Sequence, residues 1–218
     1  MKERIGLLGG TFDPVHAGHL RSAVEVRRRF GLDRVLFIPS FSPPHKGRGA
    51  QAGAEDRYRM VELACAGNSD FIPSRLEVEE RQTSYSVRTV EKVHRTYPDA
   101  WVFFILGVDA FLEIATWREA ERVLEACQWV VTTRPGFPLD AAGGVLGGRL
   151  RPRLQALAGD ESAAETSFGP GRIFLLPIPA LDISSTEIRR RVRAGETIRG
   201  LVPAAVETYI HDRGLYRS

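Results

Sequence analysis

Gly6-Leu7-Leu8-Gly9-Gly10-Thr11-Phe12-Asp13-Pro14-Val15-His16-Ala17-Gly18-His19-Leu20 decides how this chain is read. A short apolar run ends in a glycine pair, a polar turn follows, and His16 and His19 stand at the entry to an amphipathic pattern. That order reads as strand, phosphate-cradling loop and helix N-terminus. Gly9 and Gly10 let backbone approach a ligand closely and permit positive φ. G-x-G-x-x-G is absent and no Gly-Lys-Ser/Thr follows, which excludes the dinucleotide fingerprint and the P-loop. The histidine spacing and the missing glutamate exclude a zincin. Imidazoles at a helix entry present N–H donors to a phosphate, aided by the helix N-terminus.

Outward from this stretch, apolar strands and amphipathic helices alternate. Arg4–Leu8 is expected as the first strand. Leu20–Phe30 is expected as a helix stopped by Gly31, with Leu20, Val24 and the aliphatic stem of Arg27 inward. Val35–Ile38 follows as a second strand, giving a βαβ unit and hence a parallel sheet. Residues 40–54 form a long loop containing Pro43-Pro44-His45-Lys46-Gly47, a length that suits a binding loop. The remaining expected helices are 54–66, 84–97, 116–126 (opened by a capping box at Thr116 and Glu119), 184–193 and 203–213. The remaining strands are one or two within 71–80, then 101–106, 129–131 and 173–176. Residues 137–171 are the least regular part, with a weak helical pattern over 145–157 that suits an insertion, a flap or an oligomer contact. The expected fold class is α/β: a doubly wound, mainly parallel, Rossmann-like sheet in a single domain, 1–218, with a helical C-terminal part at about 184–218. Ligands of such sheets bind at the carboxyl ends of the strands, near the switch point.

Composition narrows the class. The chain has 218 residues, 43% hydrophobic and 26% charged, enough for a sizeable core without staples. No apolar run approaches the roughly 18 residues of a membrane span. Met1-Lys2-Glu3-Arg4 enters a strand pattern with no signal-peptide core, so a cytoplasmic location is expected. Cys65 and Cys127 sit in apolar contexts and read as buried reduced thiols. A net charge of +3 is too mild to indicate nucleic acid, and aromatic–basic interleaving is missing, so no nucleic-acid partner is expected.

A second stretch, Ile183-Ser184-Ser185-Thr186-Glu187-Ile188-Arg189, sets three hydroxyls at a helix start and an arginine one turn on. It reads either as plain N-capping by Ser184 and Glu187 or as a polyphosphate site. Together, Gly9–His19 and Ile183–Arg189 resemble the nucleotidyltransferase superfamily with HxGH and ISSTxxR motifs. Within it the chain is similar to the bacterial nicotinate-nucleotide adenylyltransferases. Pro43-Pro44-His45-Lys46, Ser84-Tyr85-Ser86, Leu106-Gly107-Val108-Asp109, Thr116-Trp117, Arg134-Pro135-Gly136 and Gly214-Leu215-Tyr216-Arg217 carry the likeness in order. Only residues 137–171 lack a matching motif. Ser86 departs from the threonine frequent there but keeps the backbone donor.

The resemblance implies AMP transfer from ATP to nicotinate mononucleotide, with pyrophosphate released. His16, His19 and Arg189 would be catalytic. ATP would be bound by Gly9, Gly10, Thr11, Phe12, His16, His19, Gly107, Asp109, Ser184, Ser185, Thr186 and Arg189. The mononucleotide would be bound by Ser40, His45, Lys46, Ser86, Asp109, Trp117, Arg118 and Arg134, with Trp117 stacked on the ring and main-chain N–H groups near Ser86 and Arg118 on the carboxylate. Mg²⁺ would ride on the ATP phosphates, since no carboxylate cage is visible and no metal-ligand residues are expected. A homo-oligomer is compatible with the sequence, and a membrane partner is not expected.

Overall fold

The computed structural model describes residues 2–43, 50–157, 163, 168–179 and 181–217. Among these, seven strands form one sheet in the order β3-β2-β1-β4-β5-β7-β6, every neighbouring pair parallel. The strands are β1 Arg4–Gly10, β2 Arg34–Pro39, β3 Phe71–Pro73, β4 Trp101–Gly107, β5 Gln128–Thr132, β6 Leu154–Ala156 and β7 Ile173–Leu176. The helices are α1 Ala17–Phe30, α2 Ala54–Cys65, α3 Ser86–Thr96, α4 Val108–Leu112, α5 Ala120–Ala126, α6 Ser185–Arg193 and α7 Ala204–Asp212. The doubly wound α/β expectation holds.

The central strands are apolar end to end because both faces are covered. Alternate residues enter opposite cores, as the period of two requires. Leu8, Phe37, Phe103, Val130 and Phe174 pack with α1, α2, α6 and α7, whereas Leu7, Leu36, Phe104, Val131 and Leu175 pack with α3, α4 and α5. β1 is the third strand from one edge, with β2 on one side and β4 on the other. The chain winds outward in both directions from there. The C-terminal ends of β1 and β4 therefore flank the switch crevice.

Several sequence expectations needed correction. Helix α1 starts at Ala17, so His16 is its N-cap and His19 lies in its first turn. Its inward face carries Leu20, as expected, with Ala23, Val26 and Phe30, while Val24 is exposed. Periodicity defines a stripe, but docking on the sheet chose a neighbouring stripe, and Glu25 and Arg29 are buried alongside. Gly31 does end the helix, in the left-handed region at φ 58°. The capping box at Thr116 does not form: Thr116 Oγ1 donates to the Glu113 carbonyl, and α5 opens later, after Glu119 at φ 54°. The short helix α4, directly after β4, was absent from the sequence reading. Residues 145–157 form no α-helix. They contain part of a 3₁₀ segment, a second 3₁₀ turn at Arg151–Arg153, and β6, which adds an edge strand beside β7. Only one strand, β3, forms within 71–80. Cys65 and Cys127 are free and buried.

Candidate active site

β1 runs to Gly10, and the chain then turns through Phe12, which adopts the left-handed φ of 49°, and a cis Asp13–Pro14 bond. Neither Gly9 nor Gly10 has positive φ. Their lack of side chains instead shapes the wall: Gly9 lines two cavities and Gly10 one of them.

The first cavity, about 320 Å³, lies between the ends of β1, β4 and β5. His19, Gly107, Asp109, Thr132, Thr133 and Arg134 are on its wall. A side-chain carbon at Gly107 would collide with Asp109 Oδ1, so the glycine lets the aspartate fold back over the strand end. Arg134 Nε lies 3.4 Å from Asp109 Oδ2, and Arg134 Nη1 donates to the Ile183 carbonyl at 3.4 Å.

The second cavity, about 260 Å³, opens on the other side of Gly9. Gly10, Thr11, Ser40, Ser86, Trp117 and Arg118 line it. Phe104 and Trp129 each meet the Trp117 ring edge-on, with centroids 6.1 Å away. Arg118 lies over the Tyr85 ring at 4.8 Å. The two cavities share Gly9, Leu106 and Ala110.

The histidines stand at the head of α1. His16 is 1% exposed and caps the helix in extended backbone. Burial, followed by the positive charge of Arg134, lowers its pKa from 6.5 to about 3, so it is neutral at physiological pH. Its backbone N–H donates to His19 Nδ1 at 3.2 Å. The rings stack with centroids 3.7 Å apart. Gly18 makes room for this: a methyl there would stand 3.0 Å from His16 Nδ1. Phe12 has its side chain buried in the core, with its ring edge-on to His19 at 4.9 Å. Phe12 therefore supports His19 and does not line either cavity.

Helix α6 brings the second motif to the same loop. Ser184 Oγ accepts from the Glu187 N–H, so the N-cap of the capping box forms. The Glu187 carboxylate instead pairs with Arg190 and Arg191. Ser185 Oγ donates to the Pro14 carbonyl at 2.9 Å. Arg189 donates from Nη1 to the Asp13 carbonyl at 2.6 Å and from Nη2 to Thr186 Oγ1 at 3.2 Å. The two motifs, distant in sequence, are thus joined directly.

His19, Gly107, Asp109 and Arg134 share the first cavity; Arg134 and Asp109 are not on the wall with Trp117. Gly10 and Thr11 join Ser40, Ser86, Trp117 and Arg118 on the second. His45 and Lys46 lie outside the described residues.

Two polar residues of this region, Arg57 and Glu77, stand outside the stretches read from the sequence, and the pairing of Asp13 with Tyr216 is visible only in the fold. Arg57, 1% exposed, donates to the carbonyls of Thr11, Ser40, Phe41 and Ala52, pinning the exits of β1 and β2 together. Its placement among Met60 and Val61 on the inward stripe of α2 was an available signal. Glu77 lines the second cavity and accepts a 2.5 Å hydrogen bond from Thr89; burial raises its pKa. Asp13 and Tyr216 meet beneath the loop.

These features match known proteins. The cytidylyltransferase-like family model fits residues 7–191. A Moorella thermoacetica protein named "Probable nicotinate-nucleotide adenylyltransferase" is 44% identical over 215 residues, covering 98% of this chain and 92% of its own. A Thermus thermophilus protein of the same name is 42% identical over 214 residues, covering 98% and 100%. Among solved structures, Plasmodium falciparum nicotinic acid mononucleotide adenylyltransferase complexed with NaAD superposes with TM-score 0.76 at 17% identity, over 98% of this chain and 97% of that one, and so shares the fold. With the fold, both motifs and full-length relatives in agreement, the chain belongs to the cytidylyltransferase-like family and, within it, to the nicotinate-nucleotide adenylyltransferases.

Proposed function

We propose that this chain transfers AMP from ATP to nicotinate mononucleotide, giving nicotinate adenine dinucleotide and pyrophosphate in the cytoplasm. The observation that carries the reading is the pair of cavities meeting at Gly9, with His19 on one wall and Trp117 on the other. Two ligands seated there meet end to end at the head of β1, the arrangement a group transfer between nucleotides requires.

The first cavity takes the adenosine of ATP, with Gly107 and Asp109 at the sugar. Its phosphates reach the histidines and the start of α6. The second takes the mononucleotide, with Trp117 against the pyridine ring and the N–H groups at the start of α3 toward the carboxylate. Ser40, Lys46 and His45 belong to the mononucleotide's phosphate end. Arg134 is assigned to the ATP side, given its cavity.

The attacking group is a phosphate monoester with a second pKa of about 6, so it arrives ionised and needs no general base. The protein's work is in-line positioning and stabilisation of charge on the α-phosphate and the departing pyrophosphate. In neutral His19 the backbone N–H on Nδ1 leaves the ring proton on Nε2, which makes that nitrogen a donor. Ser184, Ser185, Thr186 and Arg189 hold the β- and γ-phosphates. Among the described residues no three His, Cys, Asp or Glu cluster as a metal site. The donor set of imidazole, hydroxyl and guanidinium fits phosphate oxygens better than a bare cation. Mg²⁺ is therefore taken to enter with ATP as part of the substrate.

An acceptor panel tests the reading. Pyrophosphate release from MgATP is measured with nicotinate mononucleotide, nicotinamide mononucleotide and phosphopantetheine. Nicotinate mononucleotide should exceed the amide by about tenfold or more, since a donor-lined site leaves the amide N–H₂ unpaired. Equal turnover with all acceptors overturns the assignment.

A further inference from the structure

Tyr216 follows α7, and its side chain returns to the core of the first motif, 203 residues away in sequence. Its O–H donates to Asp13 Oδ1 at 2.8 Å. Asp13 is 3% exposed. The same Oδ1 accepts the Ala52 N–H at 3.0 Å, and Oδ2 accepts the Gln51 N–H at 2.8 Å. Arg189 Nη1 stands 3.7 Å from Oδ2 while donating to the Asp13 carbonyl at 2.6 Å. Arg189 Nε is buried with no partner among the described residues.

We propose that Tyr216 is a positioning residue for phosphate binding: its hydroxyl satisfies the Asp13 carboxylate and so keeps Arg189 from collapsing onto it. This rests on the reading that Arg189 grips the phosphates of ATP.

The argument is one of competition. A buried carboxylate seeks donors for about four lone-pair sites. Asp13 has three neutral donors, two backbone N–H groups and the Tyr216 hydroxyl, and one guanidinium just beyond hydrogen-bond range. Removing the hydroxyl leaves Oδ1 under-satisfied in a buried position. Arg189, whose Nη1 already stands 3.7 Å from the neighbouring oxygen Oδ2, is a charged donor within reach of a carboxylate that has lost one partner. Turning inward, Arg189 gives up its bridge between the Asp13 carbonyl and Thr186 to shorten its 3.7 Å ion pair with the carboxylate, and its grip on an incoming phosphate weakens. Tyr216 suits the role because it stays protonated. Burial, together with the Asp13 charge, pushes its phenol well above the ordinary value. Its ring is held in the apolar cluster of α7 and α6, so the hydroxyl has a fixed aim.

The test is calorimetric binding of MgATP without acceptor, which does not depend on which mononucleotide is the substrate. Tyr216→Phe keeps the ring and removes the donor. It should weaken ATP about tenfold, the scale of one hydrogen bond to a charged group. On an Arg189→Ala background the same change should alter binding by less than twofold, because its target is gone. Wild-type affinity in Tyr216→Phe overturns the proposal. So does an equal loss on both backgrounds, which is what a merely structural role gives. Unchanged ATP affinity in Arg189→Ala alone overturns the Arg189 reading and the proposal with it. A failure of the acceptor panel leaves this binding test intact.

Discussion

The imidazoles of His16 and His19 lie face to face, 3.7 Å between centroids, with the backbone N–H of His16 on His19 Nδ1. One backbone donor thereby sets the tautomer of the second ring, and the first ring, buried and neutral, sets its plane. His19 is the member on the cavity wall. His19→Ala should lower kcat by about 10²–10³, the scale for losing one preorganised donor to transition-state charge. The melting curve should move little. Near-wild-type turnover removes His19 from the mechanism.

Gly18 separates helix propensity from site geometry. Alanine favours a helix over glycine by about 1 kcal/mol, and nothing at position 18 demands positive φ. A methyl there, however, would press on the His16 ring at 3.0–3.1 Å. His16 has no room to retreat, being 1% exposed. Gly18→Ala should therefore leave the melting temperature within a few degrees while cutting kcat more than about tenfold through the displaced histidine pair. Full activity would mean the ring shifts harmlessly.

His16 also gives stability a pH dependence. Above pH 6.5 folded and unfolded chains both carry a neutral imidazole, so His16 contributes no slope. Between 6.5 and about 3 the unfolded chain binds a proton that the folded one refuses, because burial and Arg134 depress the folded pKa. Stability therefore falls as pH falls through that window. Each pH unit is worth about 1.4 kcal/mol, so the penalty at pH 5 is about 2 kcal/mol. Denaturant unfolding of wild type and His16→Asn at pH 7.5 and pH 5 checks this: the gap between them should shift by about that amount toward the variant. A gap independent of pH refutes it. Turnover should show no acid limb from His16; loss near pH 6 belongs to the substrate phosphate.

The parts of this molecule that were legible in the sequence share a cause. β1, β2, β4 and β7 are apolar runs buried on both faces, and a local pattern suffices to mark them. Gly31 and Ser184 are local end signals, and both act as read. The elements that misled depend on partners far along the chain. Val24 is as apolar as Val26, yet only docking against the sheet decides which one is buried. Thr116 and Glu119 have capping-box spacing, but the turn after α4 directs Thr116 back to Glu113. Both motifs and Trp117 were readable as local patterns, and the fold sets His19 and Trp117 on neighbouring cavities. The polar groups beneath them were not: Arg57 holds four carbonyls spread over 41 sequence positions, Thr11 to Ala52, a relation no local window contains.

Trp117 separates the two cavities experimentally. It lines the second and not the first, and its ring is steadied edge-on by Phe104 and Trp129. Stacking of an aromatic side chain on a base is worth about 1–3 kcal/mol by alanine substitution. Trp117→Ala should accordingly raise KM for nicotinate mononucleotide about five- to 150-fold, with Trp117→Phe recovering part of the loss. KM for ATP should stay within twofold, since β1 and β4 close the first cavity without Trp117. Steady-state kinetics with each substrate varied in turn decides the matter. A parallel rise in both KM values would mean that Trp117 supports the crevice as a whole and does not seat the pyridine ring.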